Sequence, residues 1–208
     1  MSRLRARSDG GATLIEFAFI ALLLFTLIFG IFEFGMVFRS RTTTADAAAD
    51  GARTGAIQGP NQTALSETAD YSILKSIREN TSAIDPEDIT RIVVFKGSSS
   101  GAGSPASQVP AGCKAGTPQV DRCNVYDPNT AFERVQAGDA AYFDCASNAA
   151  SPACPWNPSL RSNGPDPSDV DYLGVWIQVG HPFVTGLFGQ TLTIENASVV
   201  RLEPGLFE

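Results

Sequence analysis

A single histidine, four cysteines and a short run of aspartates are the side chains of this 208-residue sequence best suited to catalysis or metal binding. His181 precedes Pro182 at the expected end of a strand, and a hydrolase would need it beside a nucleophile and a carboxylate. There is no Gly-x-Ser-x-Gly, no phosphate-cradling glycine loop and no two-histidine metal motif. His181 therefore reads as a structural loop residue, and the chain does not read as an enzyme. Asp166, Asp169 and Asp171 place oxygen ligands close together, but the glycine and distal glutamate of an EF-hand loop are missing. They read as a solvated turn ahead of a strand, so no metal, cofactor or small-molecule substrate is expected.

Cys113, Cys123, Cys145 and Cys154 all follow the apolar N-terminal stretch. An even count beyond a hydrophobic segment reads as two disulfides formed in an oxidising space. The zinc alternative lacks a Cys-x2–4-Cys spacing and a second histidine. Of three connectivities, Cys113–Cys123 and Cys145–Cys154 close short loops and are the expected pairing.

The most unusual residue is Glu16. From Phe17 to Phe32 there is no charge, and Thr26 is the sole polar side chain. With Ala12–Ile15 and Phe34–Phe38 the apolar stretch reaches 27 residues, interrupted by Glu16 and Glu33. A bilayer core needs about 20 such residues as a helix. A carboxylate near hydrocarbon costs roughly 2.5–3.5 kcal/mol, so Glu16 needs a partner or a purpose. For Glu33 the sequence offers Arg39, a neighbouring subunit's polar group, or snorkelling to the interface.

Glu16 also stands five residues after Gly11, behind a leader carrying Arg3, Arg5 and Arg7. A glycine before a cut, a glutamate at the fifth mature position and an aromatic residue after it form the signature of a type IV prepilin. Gly11-Ala12-Thr13-Leu14-Ile15-Glu16-Phe17-Ala18 resembles the TadE-like (TadE/TadG) proteins of tight-adherence, or Flp, pili. Ser198-Val199-Val200-Arg201-Leu202-Glu203-Pro204 is similar to that family's ending. The resemblance implies that a membrane prepilin peptidase cuts after Gly11, leaving Ala12 as the new N-terminus. Glu16, with Phe17 beside it, would then serve assembly, neutralising the ammonium of its own Ala12 or of a neighbour's. The implied function is a minor pilin or pseudopilin that inserts its helix among other pilin-like subunits. A second reading is a membrane-tethered adhesin-like binding module whose loops at 97–117 and 147–167 touch a surface. An anchored enzyme is a distant third.

These residues need a scaffold to hold them, and the remaining sequence supplies its outline. The expected fold is α+β, with a long N-terminal transmembrane helix running onto a small antiparallel sheet. Its divisions are a leader at 1–11, a transmembrane helix at 12–38, an outer helical extension at 39–59 and an extracytoplasmic domain at 60–208. Ala-rich sequence without proline carries the helix to Ile57, where Gly59-Pro60 stops it. Gly51, Gly55 and Gly59 recur every four residues, which either lays down a small-residue face for close packing or frays the helix end. A second helix is predicted from Thr63 to Asn80, with Leu65, Ala69, Ile73, Leu74 and Ile77 inward and Glu67, Asp70, Lys75 and Arg78 toward water. Ile89–Lys96, Tyr172–Val179 and Thr191–Leu202 read as strands. Asp127-Pro128 opens a short helix, and Ala140–Asp144 is either strand or helix. Residues 97–117, rich in Gly, Ser, Ala and Pro, read as a mobile loop up to Cys113.

Charge fixes the remaining expectations. From Pro60 onward the sequence has 9 Lys/Arg and 17 Asp/Glu, net −8, which repels phosphate backbones and excludes nucleic acid as a partner. The basic leader stays inside under the positive-inside rule, which puts the cysteine-bearing domain outside the cytoplasmic membrane.

Overall fold

The computed structural model describes residues 10–59, 68–98, 104–164, 169–186 and 188–203. Helix α1 runs unbroken over Gly10–Gln58, 49 residues, or about 73 Å at 1.5 Å per residue. It ends where Gly59 adopts a left-handed φ of 55° and donates its N–H to Gly55 O at 3.1 Å. The inner half of α1 touches little, with Phe17, Phe19, Leu23 and Phe25 all exposed. In the outer half Ala47, Ala48, Ala52 and Ala56 are buried.

The glycine stripe is a packing face. A Cβ at Gly51 would lie 2.9 Å from Ile77 Cγ1, and one at Gly55 would lie 2.7 Å from Ile73 Cδ1 and 2.9 Å from Leu173 Cδ1. Of the two expectations for these glycines, close approach is the one realised. The partner is helix α2, Ala69–Asn80, whose Thr68 side chain accepts from Tyr71 N at 3.3 Å and whose Ile73, Leu74 and Ile77 are fully buried. The expected start of this helix at Thr63, and Leu65 and Glu67 with it, lie outside the described residues.

Four antiparallel strands form one sheet in the order β2–β1–β3–β4: β1 Ile89–Gly97, β2 Cys123–Tyr126, β3 Tyr172–Pro182 and β4 Thr191–Arg201. The α+β architecture of a long apolar helix and a small antiparallel sheet is therefore the observed one. Strand β2 is an addition, since four residues including Asn124 carry no readable alternation. The face bearing Ile92, Val94, Leu173, Val175, Ile177 and Val179 packs under α1 and α2 in the main core.

The opposite face carries Val93, Phe95, Cys123 and Trp176 and is covered by Val109 and Cys113. Here the expectation from sequence fails. Residues 105–114 are not open loop but hold two one-turn helices, α3 Pro105–Gln108 and α4 Ala111–Lys114, while residues 99–103 of the predicted loop lie outside the described residues. Small residues cannot build a core, but Val109 and the half-cystine Cys113 are enough to pin this segment onto the sheet. On that face the ring of Phe95 occupies the space a side chain would need at its cross-strand partner, Gly174.

Helix α5, Pro128–Gln136, starts as expected at Asp127, which accepts from Thr130 N at 2.9 Å. Residues Ala140–Phe143 form a 3-10 turn, which settles the choice between strand and helix. Within the predicted loop 147–167, Pro158–Leu160 is also a 3-10 turn and Trp156 is buried.

Candidate functional site

The N-terminal constellation sits on the first two turns of α1. Gly11 is exposed, and a Cβ added there would meet nothing within 4 Å. The bond that follows Gly11 lies within the helix's first turn, where two successive glycines hold helical geometry poorly, each by about 1 kcal/mol relative to Ala. Glu16 and Phe17 are exposed on the same bare helix. Ala12 and Glu16 are one turn apart, and helical side chains lean toward the N-terminus. Glu16 therefore leans toward the turn of helix that begins at Ala12.

The second carboxylate of the apolar stretch is placed quite differently. Glu33 is 1% exposed. Its carboxylate accepts from Val184 N at 3.2 Å, from Thr185 N, and from Thr185 Oγ1 at 2.7 Å. All three donors come from the turn between β3 and β4. Within the chain, then, the partner of Glu33 is this turn and not Arg39. The turn can present adjacent N–H groups because Gly186 and Gly189 take positive φ values of 68° and 117°. Phe188 then lies against α1, its ring centroid 5.2 Å from that of Phe34. Nothing local to Glu33 signals this, because the donors are about 150 residues away in sequence.

A third polar cluster is wholly internal. Asp70, expected to face water, is fully buried, and Arg161 Nη2 lies 2.6 Å from its Oδ1 with both side chains inaccessible. Asp70 Oδ2 accepts from Tyr126 OH and from Asn124 Nδ2, the latter at 2.8 Å. Asn124 also bridges to Trp156, accepting from its N–H at 2.7 Å and donating to its carbonyl at 2.9 Å. The Arg161 guanidinium stacks 4.3 Å from the centre of the Trp156 ring. Burial, and secondarily the adjacent Asp70 charge, pushes the Tyr126 hydroxyl well above its ordinary pKa. Asp70 departs from the helical water-face pattern because it sits in the first turn of α2, aimed across at β2.

Cys113 pairs with Cys123 and Cys145 with Cys154, at Cα separations of 6.4 and 5.3 Å. The first bridge ties α4 to the start of β2. The second closes the loop that delivers Trp156 to Asn124. His181 lies near the C-terminal end of β3, its ring 6.1 Å from that of Phe183. Asp171 pairs with Lys96 at 2.7 Å and accepts from Ser162 N at 3.0 Å, while Asp166 lies outside the described residues. Among the described residues no group of three or more His, Cys, Asp or Glu side chains is placed to hold a metal ion.

These features define a class: one helix long and apolar enough to cross a membrane, with a small disulfide-bonded α+β domain at its C-terminal end. The TadE-like protein family model matches residues 11–53. That span holds Gly11, Glu16, Phe17, Glu33 and most of α1, and over it the chain is similar to the TadE-like family; Ser198–Pro204 falls outside the match. No curated protein and no solved structure matches the chain.

Proposed function

We propose that this protein is a TadE-like minor pilin or pseudopilin, a structural or assembly subunit of a Flp-type pilus that works through its N-terminal helix. The observation that carries the proposal is the contrast along α1. The helix is largely bare through Phe32 and from Ala47 onward buries one face, Ala47, Ala48, Ala52 and Ala56, in its own domain, and nearly all of the bare part lies within the TadE-like match. A helix of this length and apolarity lowers its energy by entering lipid or by packing against other helices of the same kind.

In this reading the domain lies outside the cytoplasmic membrane, where its disulfides persist. Prepilin peptidase cuts between Gly11 and Ala12, and Glu16 then sets the register of the helix among its neighbours. A mismatched subunit would leave a buried charge unpaired. The binding-module alternative has less surface to draw on, since parts of both its loops are spent on the domain's own packing through Val109, Cys113 and Trp156.

Intact-mass measurement of the protein from its native membrane tests the processing step. A chain starting at Ala12 supports it, and one starting near Ala48 would identify α1 as a cleaved signal and overturn the proposal. A chain starting at Met1 would remove the peptidase step and leave a membrane-resident assembly factor.

A further inference from the structure

We propose that the β3–β4 turn, through residues 183–186 and 188–190, is a second membrane-contacting element that rests in the outer-leaflet interface beside α1. The inference rests on the reading of α1 as a membrane span.

The turn is held at a defined height on that helix. Glu33 grips Val184 and Thr185, and a Cβ added at Gly30 would lie 3.7 Å from Phe188 Cζ. About 20 helical residues cross the hydrocarbon core, so a span entering at Thr13 leaves it near Phe32. The turn is therefore level with the end of the span. Arg39 and Arg41, the next charges outward on α1, lie about two and two and a half turns beyond Phe32.

Its composition suits that position. Phe183-Val184-Thr185-Gly186-Leu187-Phe188-Gly189-Gln190 carries no charge, and Val184 is 77% and Phe188 47% exposed. A crevice of about 370 Å³ separates Ile28, Phe29, Phe32 and Met36 from Val184, with a lining that is almost wholly apolar. It suits an acyl chain segment, and the surface around it continues the bare face of α1.

Irregular backbone is normally excluded from lipid because its polar groups go unpaired. This turn meets that requirement at four of its N–H groups. Phe183 N donates to Gln190 O at 3.0 Å, Gly189 N donates to Gly186 O at 3.4 Å, and the Val184 and Thr185 N–H groups go to Glu33. Glu33 and the turn thus solve each other's problem: the carboxylate gains three donors, and the donors gain an acceptor away from water.

The test uses the full chain in phospholipid nanodiscs containing a phosphatidylcholine with a photoreactive diazirine in its acyl chain. After irradiation, adducts are mapped by peptide mass spectrometry. Adducts are expected on residues 13–38 and on 183–190, with β1 and α5 unlabelled. In a Val184→Ser, Phe188→Ser double variant the hairpin adduct should fall about tenfold or more, while the helix adduct persists. Labelling of the helix without the hairpin, or a hairpin adduct unchanged in the double variant, would overturn this inference alone. Absence of label on both segments would overturn the membrane reading itself.

Discussion

Gly55 on α1 and Ile73 on α2 meet at a separation that leaves no room for a side chain on the first, since a Cβ there would come within 2.7 Å of Ile73 Cδ1. The small residues of this face, Ala48, Gly51, Ala52 and Gly55, let the helix settle onto α2 and the sheet together. Gly55→Val should therefore destabilise the domain by roughly 1–3 kcal/mol through overpacking. Gly35→Ala, where an added Cβ meets nothing, should be neutral or slightly stabilising. Thermal unfolding of the full chain in detergent distinguishes them, and equal midpoints would show that α1 does not pack as described.

The Asp70–Arg161 pair should be costly to break. Arg161→Met leaves a buried carboxylate and Asp70→Asn a buried guanidinium, and removing one partner of such a pair typically costs about 3–5 kcal/mol. The double replacement should be milder than the sum of the two. Denaturant unfolding of the four proteins completes a double-mutant cycle, and additive losses would mean that the two side chains do not interact.

Tyr126 predicts a pH dependence. Its hydroxyl titrates well above the ordinary value in the folded state, because burial and then the Asp70 charge oppose ionisation. Above about pH 10 the unfolded tyrosine loses its proton while the folded one keeps it, so the unfolded state binds fewer protons. Stability should then fall by about 1.4 kcal/mol for each pH unit above 10 and be unaffected by this group below it. Tyr126→Phe should flatten that alkaline slope, and an unchanged slope would assign it to other groups.

How much of this was legible in the sequence depends on whether the determining contacts are local. Helix α1 and strands β1, β3 and β4 announce themselves through long apolar or β-branched runs, and Asp127 and Gly59 mark helix boundaries by local chemistry. Strand β2 is too short to show a period. Asp70 fits the polar face of α2 by spacing, yet it is buried because Asn124, Tyr126 and Arg161 converge on it from more than 50 positions away. Glu33 is unreadable for the same reason. Small residues also misled, since at 105–114 their lack of bulk hid a cover for the sheet that two side chains suffice to anchor.

The two disulfides should differ in accessibility. Cys113 and Cys123 are completely buried under the second sheet face, whereas Cys145 and Cys154 are partly exposed. A mild water-soluble reductant should open Cys145–Cys154 first, releasing the loop around Trp156, and each short ring is worth about 2–3 kcal/mol. Timed alkylation with peptide mapping checks the order; Cys113–Cys123 opening first, or a crossed pairing, would contradict it.

The assembly role of the N-terminal helix is tested most directly by recovering the full chain from its native membrane together with its partners, comparing the unaltered protein with Glu16→Ala. The unaltered protein should bring down pilin-like subunits. Glu16→Ala should still be membrane-inserted and cut after Gly11, but recovered without them. Pilin-like subunits recovered equally with Glu16→Ala would contradict the assembly role of Glu16, and their absence from the unaltered protein would contradict the pilus assignment as a whole.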